Sequence, residues 1–100
     1  MLLVYDDFMA IKVEFYGVAR LRAGVAELNM PMEKGQGISL KQVLNSIAVS
    51  LPPFGSDCLD QGALRREFTA NLDGQQFIRE PNHKIPDGST LLILSADAGG

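Results

Sequence analysis

Residues 11–16 read Ile-Lys-Val-Glu-Phe-Tyr. Period-two alternation puts Ile11, Val13 and Phe15 on one face and predicts a strand with one buried side, from which Tyr16 points away by parity. Residues 17–24 read as a plain connection and residues 25–30 as a second strand, limited by Pro31 and paired with the first as a hairpin. Gly35-Gln36-Gly37 breaks the pattern. Ser39 followed by Gln42 is a capping-box spacing that opens a helix, and Leu40, Val43, Leu44, Ile47 and Leu51 recur on one stripe of it. Pro52-Pro53 stops that helix. Residues 54–62 read as a loop, and residues 63–68 as a helical turn or the start of a strand.

Asp73-Gly74 lies between two short predicted strands, 68–72 and 75–78, and predicts a tight hairpin. After a loop over 81–86 and a turn at Asp87-Gly88, residues 90–94 form a last strand. The run Leu91-Leu92-Ile93-Leu94 does not alternate in sequence, which places this strand in the centre of a sheet, beside and parallel to the first. The predicted fold class is therefore α+β: a mixed sheet of four to five strands with one main helix on one face. Residues 1–10 are expected to be an N-terminal extension, 11–94 the folded domain, and 95–100 a flexible tail.

Composition narrows the function. One hundred residues with 46% hydrophobic and 21% charged positions make one domain with a modest core and little room for a deep enclosed active site. A net charge of −3, with Lys and Arg scattered, argues against nucleic-acid binding. No stretch approaches a membrane span, and Leu2-Leu3-Val4-Tyr5 is too short for a signal peptide. One cysteine, Cys58, forms neither an internal disulfide nor a cysteine metal site, so a cytoplasmic protein is expected. Cys58 and the single histidine, His83, read as a structural thiol and a solvated side chain, not a catalytic pair; no metal site is expected. Arg65-Arg66 reads as solvated surface, the alternative being a contact with an acidic groove on a partner.

The remaining chemistry is at the end of the sequence. Gly99 and Gly100 lack side chains and so fit a narrow channel, and a free terminal carboxylate there (pKa roughly 3.3–3.7) is a poor electrophile until activated. Six residues from Ser95 reach roughly 20 Å when extended.

These features together resemble the β-grasp, ubiquitin-like sulfur carriers of the MoaD/ThiS family, the MoaD branch most. The resemblance rests on residues 11–17, the helix over 39–47, the hairpin over 71–77, the run Pro86-Asp87-Gly88-Ser89-Thr90-Leu91-Leu92-Ile93-Leu94, and Ala98-Gly99-Gly100. It departs in having Ser95-Ala96 where many members have Pro-Pro, and Asp73-Gly74 where Asn-Gly is usual.

The resemblance implies that the chain is not a catalyst alone. An E1-like adenylating enzyme would use ATP to activate Gly100, and a sulfur donor would convert it to a thiocarboxylate. Sulfur would then pass to a molybdopterin precursor, with this chain as small subunit of molybdopterin synthase beside a MoaE-like large subunit. Thiamine synthesis, tRNA thiolation and isopeptide modification of proteins share the tail chemistry and stay open as alternatives. Tyr16, Leu94 and Phe77 are the docking candidates, Ala98 enters the partner with Gly99 and Gly100, and no tightly bound cofactor is implied.

Overall fold

A computed structural model describes residues 8–33 and 37–99. The main sheet contains β1 (Phe8–Phe15), β2 (Glu27–Glu33), β6 (Phe68–Leu72), β7 (Gln76–Ile78) and β9 (Thr90–Ser95), in the order β2-β1-β9-β6-β7. The short strands β3 (Ile38–Ser39) with β8 (Lys84–Ile85), and β4 (Leu59–Asp60) with β5 (Ala63–Leu64), form two satellite ladders. The helices are α1 (Gly17–Ala23), α2 (Leu40–Ser50), α3 (Pro52–Cys58) and the terminal turn α4 (Ala96–Gly99). β9 lies between β1, to which it is parallel, and β6, to which it is antiparallel. The sheet is thus mixed and its last strand central, as the apolar run predicts.

One face of the sheet carries the core. Ile11, Val13 and Phe15 of β1, Leu91 and Ile93 of β9, and Phe68, Ala70 and Leu72 of β6 are buried. They meet Leu40, Val43, Leu44 and Ile47 of α2 in one hydrophobic cluster. The capping box forms as the spacing predicts: the Gln42 backbone N–H donates to Ser39 Oγ at 3.2 Å, and the Ser39 N–H donates to Gln42 Oε1 at 2.8 Å. Two N-terminal donors of the helix are thereby satisfied. Asp73 (φ 58°) and Gly74 (φ 72°) both take positive φ between β6 and β7, the requirement of a two-residue turn that follows the strand twist. Asp73 also ties the hairpin to the central strand: Thr90 N–H donates to its Oδ1 at 2.8 Å, and its own N–H donates to Thr90 O at 2.7 Å.

Several local readings need correction. β1 begins at Phe8, inside the segment 1–10 assigned to an extension; residues 1–7 lie outside the described residues. The connection 17–24 is a helix, α1, closed by Gly24 in the left-handed region with its N–H on Arg20 O at 2.9 Å. Its pattern is invisible because it buries two alanines, Ala19 and Ala23, while Val18 and Leu21 face outward. Pro31 does not end β2; it pairs with Ala10 in an edge strand, where its missing donor is tolerated.

The prolines at 52 and 53 end α2 and open α3, using the position where proline's missing N–H costs nothing. The segment 54–62 is therefore α3 and a tight hairpin, not a loop. Phe54 and Cys58 are fully buried, and Phe54 meets Phe15 edge-on with ring centroids 5.4 Å apart. A Cβ at Gly55 would lie 2.9 Å from the Ala48 Cβ, so this crossing of α2 and α3 needs glycine. Ser95, expected to begin the tail, is still in β9 opposite Phe68.

Candidate functional site: the open sheet face and the C-terminal segment

With the helices on one side, residues of opposite parity occupy the other face. Register places Glu27, Glu14, Leu92, Asn71 and Phe77 in one row across the five strands. At strand spacings of about 4.8 Å, Phe77 stands roughly 10 Å from Leu92. Leu94 opposes Thr69 one step further along. Tyr16 follows the Phe15–Ile93 pair and donates its N–H to Ile93 O at 3.0 Å, so it lies at the same end of the sheet as Leu94.

Tyr16 and Phe77 are exposed, at 45% and 53%, and Leu92 and Leu94 are half-buried. None of the four belongs to the core; they form an apolar surface beside the root of the C-terminal segment. Leu92 is absent from the candidates named on sequence, although its parity with Leu94 is the signal that finds it.

The β2 side of this face is charged. Lys12 Nζ lies 3.8 Å from Glu14 and 3.9 Å from Glu27. Tyr16 Oη donates to Glu14 Oε1 at 2.5 Å. That hydrogen bond, with smaller contributions from desolvation and from the charges of Glu14 and Glu27, raises the phenol above its ordinary pKa. Tyr16 is therefore a neutral, oriented amphipathic ring at neutral pH. In the middle of the row Asn71 is buried with its Oδ1 unpaired, a placement that costs free energy in the isolated domain.

At the end of β9 the Ala96 N–H donates to Glu67 O at 2.8 Å. Ala96–Gly99 then form one helical turn, where the sequence predicts a flexible tail. A single turn has almost no cooperative stability and unwinds at little cost. The four residues after Ala96 span roughly 13 Å when extended, shorter than the reach counted from Ser95. Ala98 and Gly99 follow Asp97 in this turn, and Gly100 lies outside the described residues.

Cys58 sits on the opposite, helical side of the sheet, fully buried at the end of α3. Burial, with the charge of Asp57, pushes its thiol up to about 11 against the opposing pull of Arg22 and Arg65. It is protonated at neutral pH and is no nucleophile. Among the described residues no group of three or more His, Cys, Asp or Glu is placed to hold a metal ion. No helix there is long and apolar enough to cross a membrane.

No protein-family model matches the chain, and no curated protein matches its sequence. Solved structures do. The solution structure of small archaeal modifier protein 1 from Methanosarcina acetivorans aligns over 93% of this chain and 98% of its own, with TM-score 0.69 and 21% identity. A Pyrococcus furiosus protein described as molybdopterin converting factor, subunit 1, aligns over 87% and 97%, with TM-score 0.66 and 15% identity. A chain of the BexX/CysO complex of Amycolatopsis orientalis aligns over 91% and 100%, with TM-score 0.66 and 20% identity. At these identities the likeness speaks for the fold. The mixed sheet with its central parallel pair, α2 packed across one face, and these full-length alignments together establish that the chain has the β-grasp, ubiquitin-like fold.

Proposed function

We propose that this chain is a sulfur carrier whose chemistry resides in the carboxylate of Gly100. The observation that carries the reading is the placement of an apolar surface, Tyr16, Leu92, Leu94 and Phe77, beside the point where β9 releases the Gly-Gly segment. A partner that grips this face meets the terminal segment at the same time. Domain docking supplies binding energy, so the short segment is positioned without needing affinity of its own.

In the proposed cycle an E1-like adenylating enzyme binds the open face, α4 unwinds, and the Gly100 carboxylate attacks the α-phosphate of ATP. Pyrophosphate leaves and an acyl-adenylate forms. Sulfide from a sulfur donor then attacks the acyl carbon, the C–O bond to AMP breaks and AMP leaves, and a thiocarboxylate remains. Gly99 and Gly100 serve because a segment without side chains passes a channel that excludes others.

The acceptor is proposed to be a molybdopterin precursor held by a MoaE-like large subunit, in a cytoplasmic molybdopterin synthase. The likeness to a protein described as molybdopterin converting factor, subunit 1, supports this branch. A second reading, isopeptide attachment of Gly100 to lysines, is supported by the likeness to small archaeal modifier protein 1. Carriage of sulfur for thiamine or tRNA thiolation uses the same first two steps.

The test is intact-mass analysis after incubation with ATP, a sulfide source and a candidate adenylating enzyme. A gain equal to sulfur replacing one oxygen, mapped to Gly100, supports the carrier reading. Conjugates on lysines of other proteins without that gain would turn the reading to a modifier. Neither product on a chain confirmed to end at Gly100 would overturn both.

A further inference from the structure

A groove lies on the helical side of the molecule, away from the open face. A cavity of about 160 Å³ lies between the start of α2 and the β4–β5 hairpin, walled by Leu40, Leu44, Leu64 and Pro81. That is well under the roughly 300–1,000 Å³ of small-molecule sites. It is the size of a pocket for a single aliphatic side chain. The cavity shares Ala63, Leu64 and Arg79 with a wider, shallower depression that also takes in Arg65 and Arg66, so the two form one groove.

The groove is basic in an acidic protein. Lys41, Arg65, Arg66 and Arg79 line it against two carboxylates, Asp60 and Glu67, a local balance of +2 in a chain of net −3. The ion pairs among the described residues involve Lys12 alone, on the other face. None of the four groove cations is neutralised by a carboxylate there. Arg79 is held rigid by donating to Leu64 O and Phe68 O, which leaves part of its five-donor fork unspent. Arg65 donates to Ser56 O at 3.3 Å, while its Nε–H is shielded from water and has no acceptor. A carboxylate arriving in the groove meets the unspent guanidinium donors of Arg79 and the exposed side chain of Arg66.

We infer that this groove docks a short acidic segment of a partner protein, with one aliphatic side chain in the Leu40–Leu44–Leu64 cavity and flanking Asp or Glu side chains against Arg79, Arg66, Arg65 and Lys41. The apolar cavity supplies the anchor, and the guanidinium rim supplies charge selection. This gives the Arg65-Arg66 pair a role that exposure alone does not. It is independent of any chemistry at Gly100.

The test uses the full-length, ¹⁵N-labelled chain titrated with the acetylated peptide DELLEED and followed by amide chemical shifts. The expected shifts centre on Lys41, Ala63, Leu64, Arg66 and Arg79 and spare Tyr16, Leu92 and Leu94. Lys41 and Arg66 are exposed, so the K41E/R66E double variant keeps the fold, checked by its undisturbed spectrum. It is expected to weaken binding by about tenfold or more. The peptide DEAAEED, lacking the anchor, is expected to lose binding. Raising salt from about 0.05 to about 0.5 M is expected to weaken the parent complex severalfold. No shifts at any peptide concentration, shifts confined to the open sheet face, or binding indifferent to K41E/R66E would each overturn the proposal.

Discussion

Replacing Phe54 with alanine separates the observed fold from one in which residues 54–62 form a surface loop. Phe54 is fully buried and meets Phe15 at 5.4 Å, with the ring planes at 62°. Removing a buried phenylalanine costs about 3–5 kcal/mol, from lost transfer energy and the cavity left behind. The edge-on ring contact accounts for about 0.5–1.5 kcal/mol of this beyond burial. Against the roughly 5–15 kcal/mol that stabilises a domain of this kind, the loss is a large fraction of the whole. At about 4–8 °C per kcal/mol, the melting midpoint of the Phe54→Ala protein is expected to fall by about 12 °C or more. Urea unfolding of the Phe54→Ala and Phe15→Leu proteins and their double variant closes a cycle that isolates the ring pair. A loss below about 1 kcal/mol for Phe54→Ala, the range of surface substitutions, would refute the packing of α3 beneath β1.

Other outcomes follow from the same geometry. Ser39→Ala removes the α2 cap and is expected to cost about 1 kcal/mol by urea unfolding; adding Gln42→Ala is expected to cost less than the sum of the two single changes, because the two side chains form one reciprocal cap. Cys58, with its thiol near 11, is expected to resist iodoacetamide at pH 7 until the chain unfolds; rapid alkylation of the folded protein would contradict its burial. Its pKa is raised on folding from 9.0 to about 11, so the folded state holds the proton more tightly. That contribution is fully present below about pH 9 and lost as pH rises to about 11. A Cys58→Ala chain is expected to show a shallower decline across that window. Leu94→Glu with Phe77→Glu, both on the open face, is expected to leave the melting midpoint within a few degrees while reducing thiocarboxylate formation by an order of magnitude or more; unchanged formation would remove that face from the proposed docking.

The elements with large apolar side chains at a clean period were legible from local chemistry. Alternation set the buried face of β1, and the stripe from Leu40 to Ile47 set the face of α2. Ser39 with Gln42 fixed where α2 begins, and Asp73-Gly74 fixed the β6–β7 turn. The central position of β9 followed from its unbroken apolar run. Burial in that strand nonetheless alternates, with Leu91 and Ile93 in the core and Leu92 and Leu94 half-buried on the open face.

What stayed hidden depends on neighbours far away in the chain. α1 buries only alanines, so its hold comes from α3 and β9 and leaves no periodic trace. α3 contains Pro, Pro, Gly and Ser, which read locally as breakers, but Gly55 is there to let α2 approach and Phe54 to fill space under Phe15. Pro31 is tolerated because β2 is an edge, a property of the whole sheet.

The same division holds for the sites. The Gly-Gly chemistry and the candidates Tyr16, Phe77 and Leu94 came from residue types, parity and resemblance. Tertiary structure added Leu92 to their face and tied the chain at Ala96. It also brought Lys41, Arg65, Arg66 and Arg79 from three separate segments onto one groove. A one-dimensional pattern encodes which face of an element is buried, because that depends on the residue's own solvation. Which side chains from distant segments share a surface depends on strand order and helix crossing, and those are settled only when the whole core packs.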